Sequence, residues 1–190
     1  MHILVIGLII FFASHSISII KHDWRNRMVK LLGIWAWQGI YSLVSIIGFI
    51  MIVYGYGLAR MEPMVLYTPP NWLHYVTVAL MLPVFPLLLA TYLPGRIQTT
   101  LKHPMLAATK LWAFAHLLAN GTLADVLIFA AFLVWAVADR ISLKHRVPEP
   151  VPVAVRSKLN DVLAIVIGLA IYAAFVLVLH RWLIGVPILK

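Results

Sequence analysis

The chain of 190 residues is 63% hydrophobic and only 11% charged, with a mean hydropathy of +0.98. A soluble domain is about half apolar and about a quarter charged, so this surplus cannot be hidden in one globular core and points to a membrane protein. The absence of cysteine excludes a disulfide scaffold, a Cys-ligated zinc site and an iron–sulfur cluster, and the net charge of +9 finds its explanation in topology rather than in nucleic acid.

The first apolar segment, 2–20, has no Lys or Arg before it and is followed by Lys21, Arg25, Arg27 and Lys30. That order predicts a retained reverse anchor rather than a cleaved signal peptide. A second span is expected over 31–58, where Gly33, Gly39, Ser42, Ser45 and Gly48 are small enough to let another helix approach closely. The loop "RMEPMVLYTPPNW" should be irregular and partly inserted, with Trp72 at the interface. A third span, 73–93, carries Pro83 and Pro86, which should kink or break it.

The stretch 104–138 is too long for one crossing of about 20 residues, and "ANGT" interrupts it. It reads as a short helical hairpin of 104–119 and 122–138. The loop 139–158 contains "VPEPVPV", an extended spacer, and 159–184 is the last span. The expected fold is an all-α polytopic transmembrane bundle of about six spans in a single domain, 1–190. With the N-terminus outside, eleven cations fall on the inner side: Lys21, Arg25, Arg27, Lys30, Arg96, Lys102, Arg140, Lys144, Arg146, Arg156 and Lys158. Arg60, Arg181 and Lys190 fall outside, and Lys110 lies within a span. This asymmetry fits an inner (cytoplasmic) membrane protein in contact with anionic lipid headgroups.

The hairpin has clear end signals. Pro104 suits the first position of a helix, Gly121 suits a left-handed exit after Asn120, and Thr122 with Asp125 has the spacing of a capping box. Asp125 is therefore expected as a cap and not a proton carrier. Of eight histidines, His2, His22, His74 and His145 fall at ends or loops, and His180 sits beside Arg181 and Trp182 at an interface.

His15, His103 and His116 need more explanation, because an ionisable group within a span is costly unless paired and is a functional candidate by default. Thr109, Trp112, Ala113, His116 and Asn120 share one helical stripe, whereas His103 and Lys110 lie on another. His15 and His116, two neutral imidazoles from different helices, are how a b-type haem is commonly held, and Phe11, Phe12 and Trp112 would surround a porphyrin. His103 and Lys110, at a helix N-terminus, suit an anion such as a propionate or phosphate. By helical rise His15 lies about 8 Å, and His116 about 18 Å, from the inner ends of their spans. A first helix running on into "KHDWRNR" would reduce that difference.

The stretch "HPMLAATKLWAFAHLLANGTLADVLIFAAFLVWAVADRISLKHR" closely resembles the NnrU family, in which HPM, LW-x-x-AHLLANG and W-A-x-x-D-R recur in this order. "FFASHS" and "LHRWLIGV" extend the resemblance over nearly the whole chain. The resemblance implies a polytopic inner-membrane protein associated with denitrification, in nitrite and nitric oxide reduction, and so with nitrogen-oxide reductase components as partners. A related branch is the haem-b enzyme ζ-carotene isomerase, whose two haem histidines fall on His15 and His116. Its alternative cysteine ligand falls on Ala113, and alanine cannot ligate iron. A fainter likeness links "KHP" to membrane methyltransferases using S-adenosylmethionine, but their glutamate-rich C-terminal motif is absent.

Three readings follow: a haem-b membrane protein holding iron through His15 and His116, a membrane assembly or transport factor without cofactor, and the methyltransferase-like enzyme. No acidic residue is expected deep in a span, which argues against an ion-coupled transporter. Whether the chain is an enzyme stays open.

Overall fold

A computed structural model describes residues 1–147 and 153–188, so the body of the "VPEPVPV" spacer and Lys190 lie outside the described residues. In chain order the helices are α1 (His2–Ile20), α2 (His22–Leu32), α3 (Ile34–Ala59), α4 (Trp72–Met81) and α5 (Val84–Ala90). There follow α6 (Arg96–Leu101), α7 (Pro104–Ala119), α8 (Leu123–Ser142), α9 (Leu159–Ala174), a π-helical turn (Phe175–Leu179) and α10 (His180–Ile184). Among the described residues the only extended pairing is an isolated bridge between Val65 and Thr122. The all-α expectation holds.

Among the described residues four stretches are long and apolar enough to cross a membrane: His2–Ile20, Ile34–Ala59, Trp72–Ala90 and Leu159–Ile184. The other two expected crossings are α7 and α8. At 16 residues α7 reaches about 24 Å, short of a hydrocarbon core of about 30 Å. The 20 residues of α8 include Asp125, Asp139 and Arg140.

The chain divides into two compact units, Met1–Pro69 with Asn120–His145, and Pro70–Ala119 with the chain from Arg146 onward. The division falls inside the expected hairpin. In its own unit α8 packs on α1, whereas α7 packs on α4 and α5.

The first unit is built on an antiparallel seam between α1 and α3. Leu4 lies against Gly55, Gly7 against Ile52, and Phe11 against Gly48, and Ser14 bonds Ser45. The steps of three and four residues keep one face of each helix on the other. Three glycines let the backbones touch, so Leu4 is fully buried. A Cβ on Gly48 would lie 2.7 Å from Phe11 N, and one on Gly7 would lie 2.7 Å from Ile52 N. Of the small residues expected to do this, Gly48 and Ser45 do. Gly39 faces open space and Ser42 is exposed. Gly33 ends α2 with φ +82, a left-handed turn that a side chain would strain. The seam instead uses Gly7 and Gly55.

The first helix does not run on. It stops at Ile20, and Lys21 (φ −134, ψ 50) separates it from α2, a short helix with both cations and exposed apolar side chains.

In the second unit the prolines divide the third span as expected. Pro83 has no N–H, and the Leu82 N–H turns back to Ala79 O at 3.3 Å. The Val78 carbonyl this releases accepts from Tyr172 Oη on α9 at 2.8 Å. Beside the break Gly168 lies directly against Pro86, close enough that any Cβ would meet its nitrogen. Farther along, the Asp161 carboxylate takes the Arg96 and Ile97 N–H groups at 2.7 and 3.1 Å. Asn160 Nδ2 donates to Pro94 O and Val155 O at 2.9 and 3.0 Å. The start of α9 thus clamps the "LPGR" turn.

Gly48→Ala is expected to destabilise the detergent-solubilised protein by about 1–3 kcal/mol, because the backbone opposite cannot yield. Gly39→Ala should be neutral or stabilising by up to about 1 kcal/mol. Thermal unfolding of the two variants side by side checks the seam.

Candidate functional site

In the first unit His15 projects from α1 into a nest of aromatic rings from α1, α3 and α8. Its ring stacks on Phe11 at 4.0 Å and 23°. Tyr41 lies 5.2 Å away, and Trp135 meets it edge-on at 5.8 Å and 85°. Phe12 and Phe132 close the nest, 4.9 Å apart. His15 Nδ1 is 2.8 Å from Phe11 O, four residues back. A carbonyl oxygen only accepts, so the neutral ring carries its proton on Nδ1 and its lone pair on Nε2. Ser14 reinforces this corner, donating to Phe11 O at 2.8 Å and meeting Ser45 Oγ at 3.1 Å.

In the second unit His116 has the same local arrangement. It is half-buried on α7, with Nδ1 2.8 Å from Trp112 O and the Trp112 ring at 5.3 Å. This ring too is protonated on Nδ1. Ala113 and Ala115 beside it are fully buried. A proton on Nδ1 held by a backbone carbonyl fixes the tautomer and orientation typical of a metal-ligating imidazole. Among the described residues no three His, Asp or Glu side chains gather to hold a bare metal ion. A porphyrin makes no such demand, since it brings four nitrogens and needs one or two protein ligands.

His103 is placed by an unusual turn. Lys102 has φ 63 and ψ −42, and the His103 N–H reaches back to Leu101 O at 2.7 Å. This positive-φ γ-turn is rare and strained. It presents His103 just ahead of Pro104, which starts α7 as expected. Lys110 lies two turns along α7, half-buried.

Asn120 belongs to the first unit and to a strapped turn. Its carbonyl accepts from Tyr67 Oη at 2.8 Å. The Leu66 and Tyr67 N–H groups both donate to Gly121 O, at 2.8 and 3.2 Å, and Leu123 N donates to Met64 O at 2.8 Å. The expected left-handed exit at Gly121 is not found, because its φ is not positive. Glycine is needed there for room: a Cβ would collide with the Tyr67 carbonyl.

The expected capping box is present. Asp125 N donates to Thr122 Oγ1 at 3.3 Å and Thr122 N donates to Asp125 Oδ2 at 3.1 Å. Tyr56 Oη adds a bond of 2.7 Å to Asp125 Oδ1, so this buried carboxylate is committed to structure. Asp139, also buried, lies in the last turn of α8. Among the described residues no carboxylate sits mid-span.

Of the remaining histidines, His74 Nε2 bonds Ile188 O at 2.8 Å, His22 Nε2 bonds Asn26 at 3.1 Å and His180 Nδ1 bonds Val186 O at 2.7 Å. His2 at the start of α1 and His145 in the turn after α8 are exposed. The residues that sequence reasoning passed over are Tyr41, Phe132 and Trp135 around His15, and Tyr56 on Asp125. Trp135 opens the W-A-x-x-D-R motif, which was the available signal.

A family model described as NnrU protein matches residues 3–188, spanning both units. Neither a curated protein nor a solved structure gives a significant match.

Two outcomes follow from this geometry. Burial, and then the Asp125 charge, push the Tyr67 hydroxyl above its usual value of 10.0. Folding then favours the protonated phenol, so its stability contribution is present below pH 10 and is lost as pH rises through the folded-state pKa. Thermal midpoints measured from pH 9 to 11.5 should fall, and Tyr67→Phe should flatten that fall. Lys102→Gly, at a backbone conformation glycine adopts without strain, should stabilise by about 1 kcal/mol in chemical unfolding.

Proposed function

Since the chain belongs to the NnrU family, we propose that it is a multi-pass inner-membrane protein, N-terminus outside, that holds a b-type haem and serves nitrite and nitric oxide reduction. His15 is the proposed first ligand of the iron, and His116 is the candidate for the second. The observation that carries this reading is the shared ring arrangement. Each imidazole gives its Nδ1–H to the carbonyl four residues back and keeps its basic nitrogen on Nε2. The rings of Phe11, Phe12, Phe132 and Trp135 would give an apolar macrocycle a matching apolar surface.

The haem, when bound, would supply one-electron redox chemistry. The chain's residues orient and shield it. Phe11 O and Trp112 O hold the two imidazole protons, and the aromatic rings exclude water. Redox sensing or assembly of nitrogen-oxide reductase components is the role proposed. Isomerase-like chemistry is the less favoured use, because Ala113 stands, fully buried, where the related isomerases have their exchangeable cysteine. His103 and Lys110 are proposed as partners for an anionic group near the start of α7.

Haemin added to the purified protein in detergent should give a Soret band. His15→Ala and His116→Ala should each weaken binding by at least about ten-fold and change the spin state, and the double variant should abolish the band. A wild-type chain that stays colourless with haemin in excess overturns the reading and favours a membrane factor without cofactor.

A further inference from the structure

Among the described residues, the polar groups around His15 are paired with one exception. Nδ1 is held by Phe11 O, and the Ser14 and Ser45 hydroxyls bond each other. The indole Nε1 of Trp135 is buried and meets no acceptor among the described residues. Native proteins seldom leave a buried donor unpaired, and such an atom calls for an explanation. An indole N–H is a donor only, so what is missing is an acceptor. The ring itself is well fixed, edge-on to His15 at 5.8 Å and 6.1 Å from Phe12.

We propose that the Trp135 N–H is reserved for the ligand of His15 and donates to a propionate carboxylate of the haem. The inference rests on the haem reading above. Haem b is bordered by methyl, vinyl and propionate groups, and only the carboxylates are strong acceptors. In a water-poor site a carboxylate gains more from a neutral donor than it would in water, and hydrogen bonds to charged groups are among the stronger ones. Trp135 is thereby a positioning residue, setting the rotation of the macrocycle on His15. It accounts for the first residue of the W-A-x-x-D-R motif, to which the fold gives no other polar role.

The test uses the full chain in lipid nanodiscs, labelled with [15N]tryptophan, and gallium(III) protoporphyrin as a diamagnetic probe. Seven indole resonances are expected, with that of Trp135 assigned by its absence in Trp135→Phe or Trp135→Tyr. It should move downfield when the porphyrin binds. In parallel, Trp135→Phe should weaken haemin binding about ten-fold, the worth of a bond to a charged group. Binding of the haemin dimethyl ester should change by less than about two-fold, since its propionates carry no charge. An unmoved resonance with porphyrin bound, or equal haemin affinity in Trp135→Phe, overturns the proposal. A resonance already at its hydrogen-bonded position before porphyrin is added identifies a lipid acceptor and overturns it too. If the wild-type chain binds neither porphyrin, the haem reading itself has failed.

Discussion

A dipole buried in hydrocarbon has no water to turn to, and each one left unpaired costs several kcal/mol. That constraint governs how this chain is put together. Where Pro83 removes a donor, Tyr172 reaches from α9 to the carbonyl set loose. Where α8 begins, Thr122, Asp125 and Tyr56 close around its exposed N–H groups. Where α6 begins, Asp161 does the same from another helix. Thr77 on α4 gives its hydroxyl to Ala115 O on α7 at 2.9 Å.

The same rule fixes the tautomer of the two histidines. An imidazole in a helix meets the demand by bonding the carbonyl one turn back. Doing so removes the choice of tautomer and aims the basic nitrogen away from its own helix. A structural solution for one ring nitrogen thus places the lone pair on the other. The seam of α1 and α3 makes this rigid for His15, because glycines bring the backbones into contact one turn before Ser14 and Ser45 meet. Helices in lipid gain no hydrophobic drive for association, so such close packing has to supply it. Against this background the indole N–H of Trp135 stands out as a buried donor without an acceptor among the described residues.

The limits of α1 and the start of α7 were legible because apolarity and proline act locally. The break at Pro83 and the capping box were legible for the same reason. The glycines were read less well. From spacing alone Gly33, Gly39 and Gly48 look alike, yet one turns the chain, one faces open space and one seats Phe11. Gly121 carries no positive φ and serves clearance for Tyr67, a residue 54 positions earlier that no local pattern connects with it.

The sequence by itself determined that the chain is helical and suited to a membrane, and where most helices start and stop. These follow from hydropathy and from the missing N–H of proline, properties each residue carries wherever it is placed. Only the tertiary structure decided which rings surround His15, that Asp125 is held by Tyr56, and that α7 and α8 pack in different units. It also decided that the Trp135 donor lacks an acceptor among the described residues. Those outcomes depend on which faces meet across helices far apart in sequence, and helical periodicity fixes the faces without naming their partners.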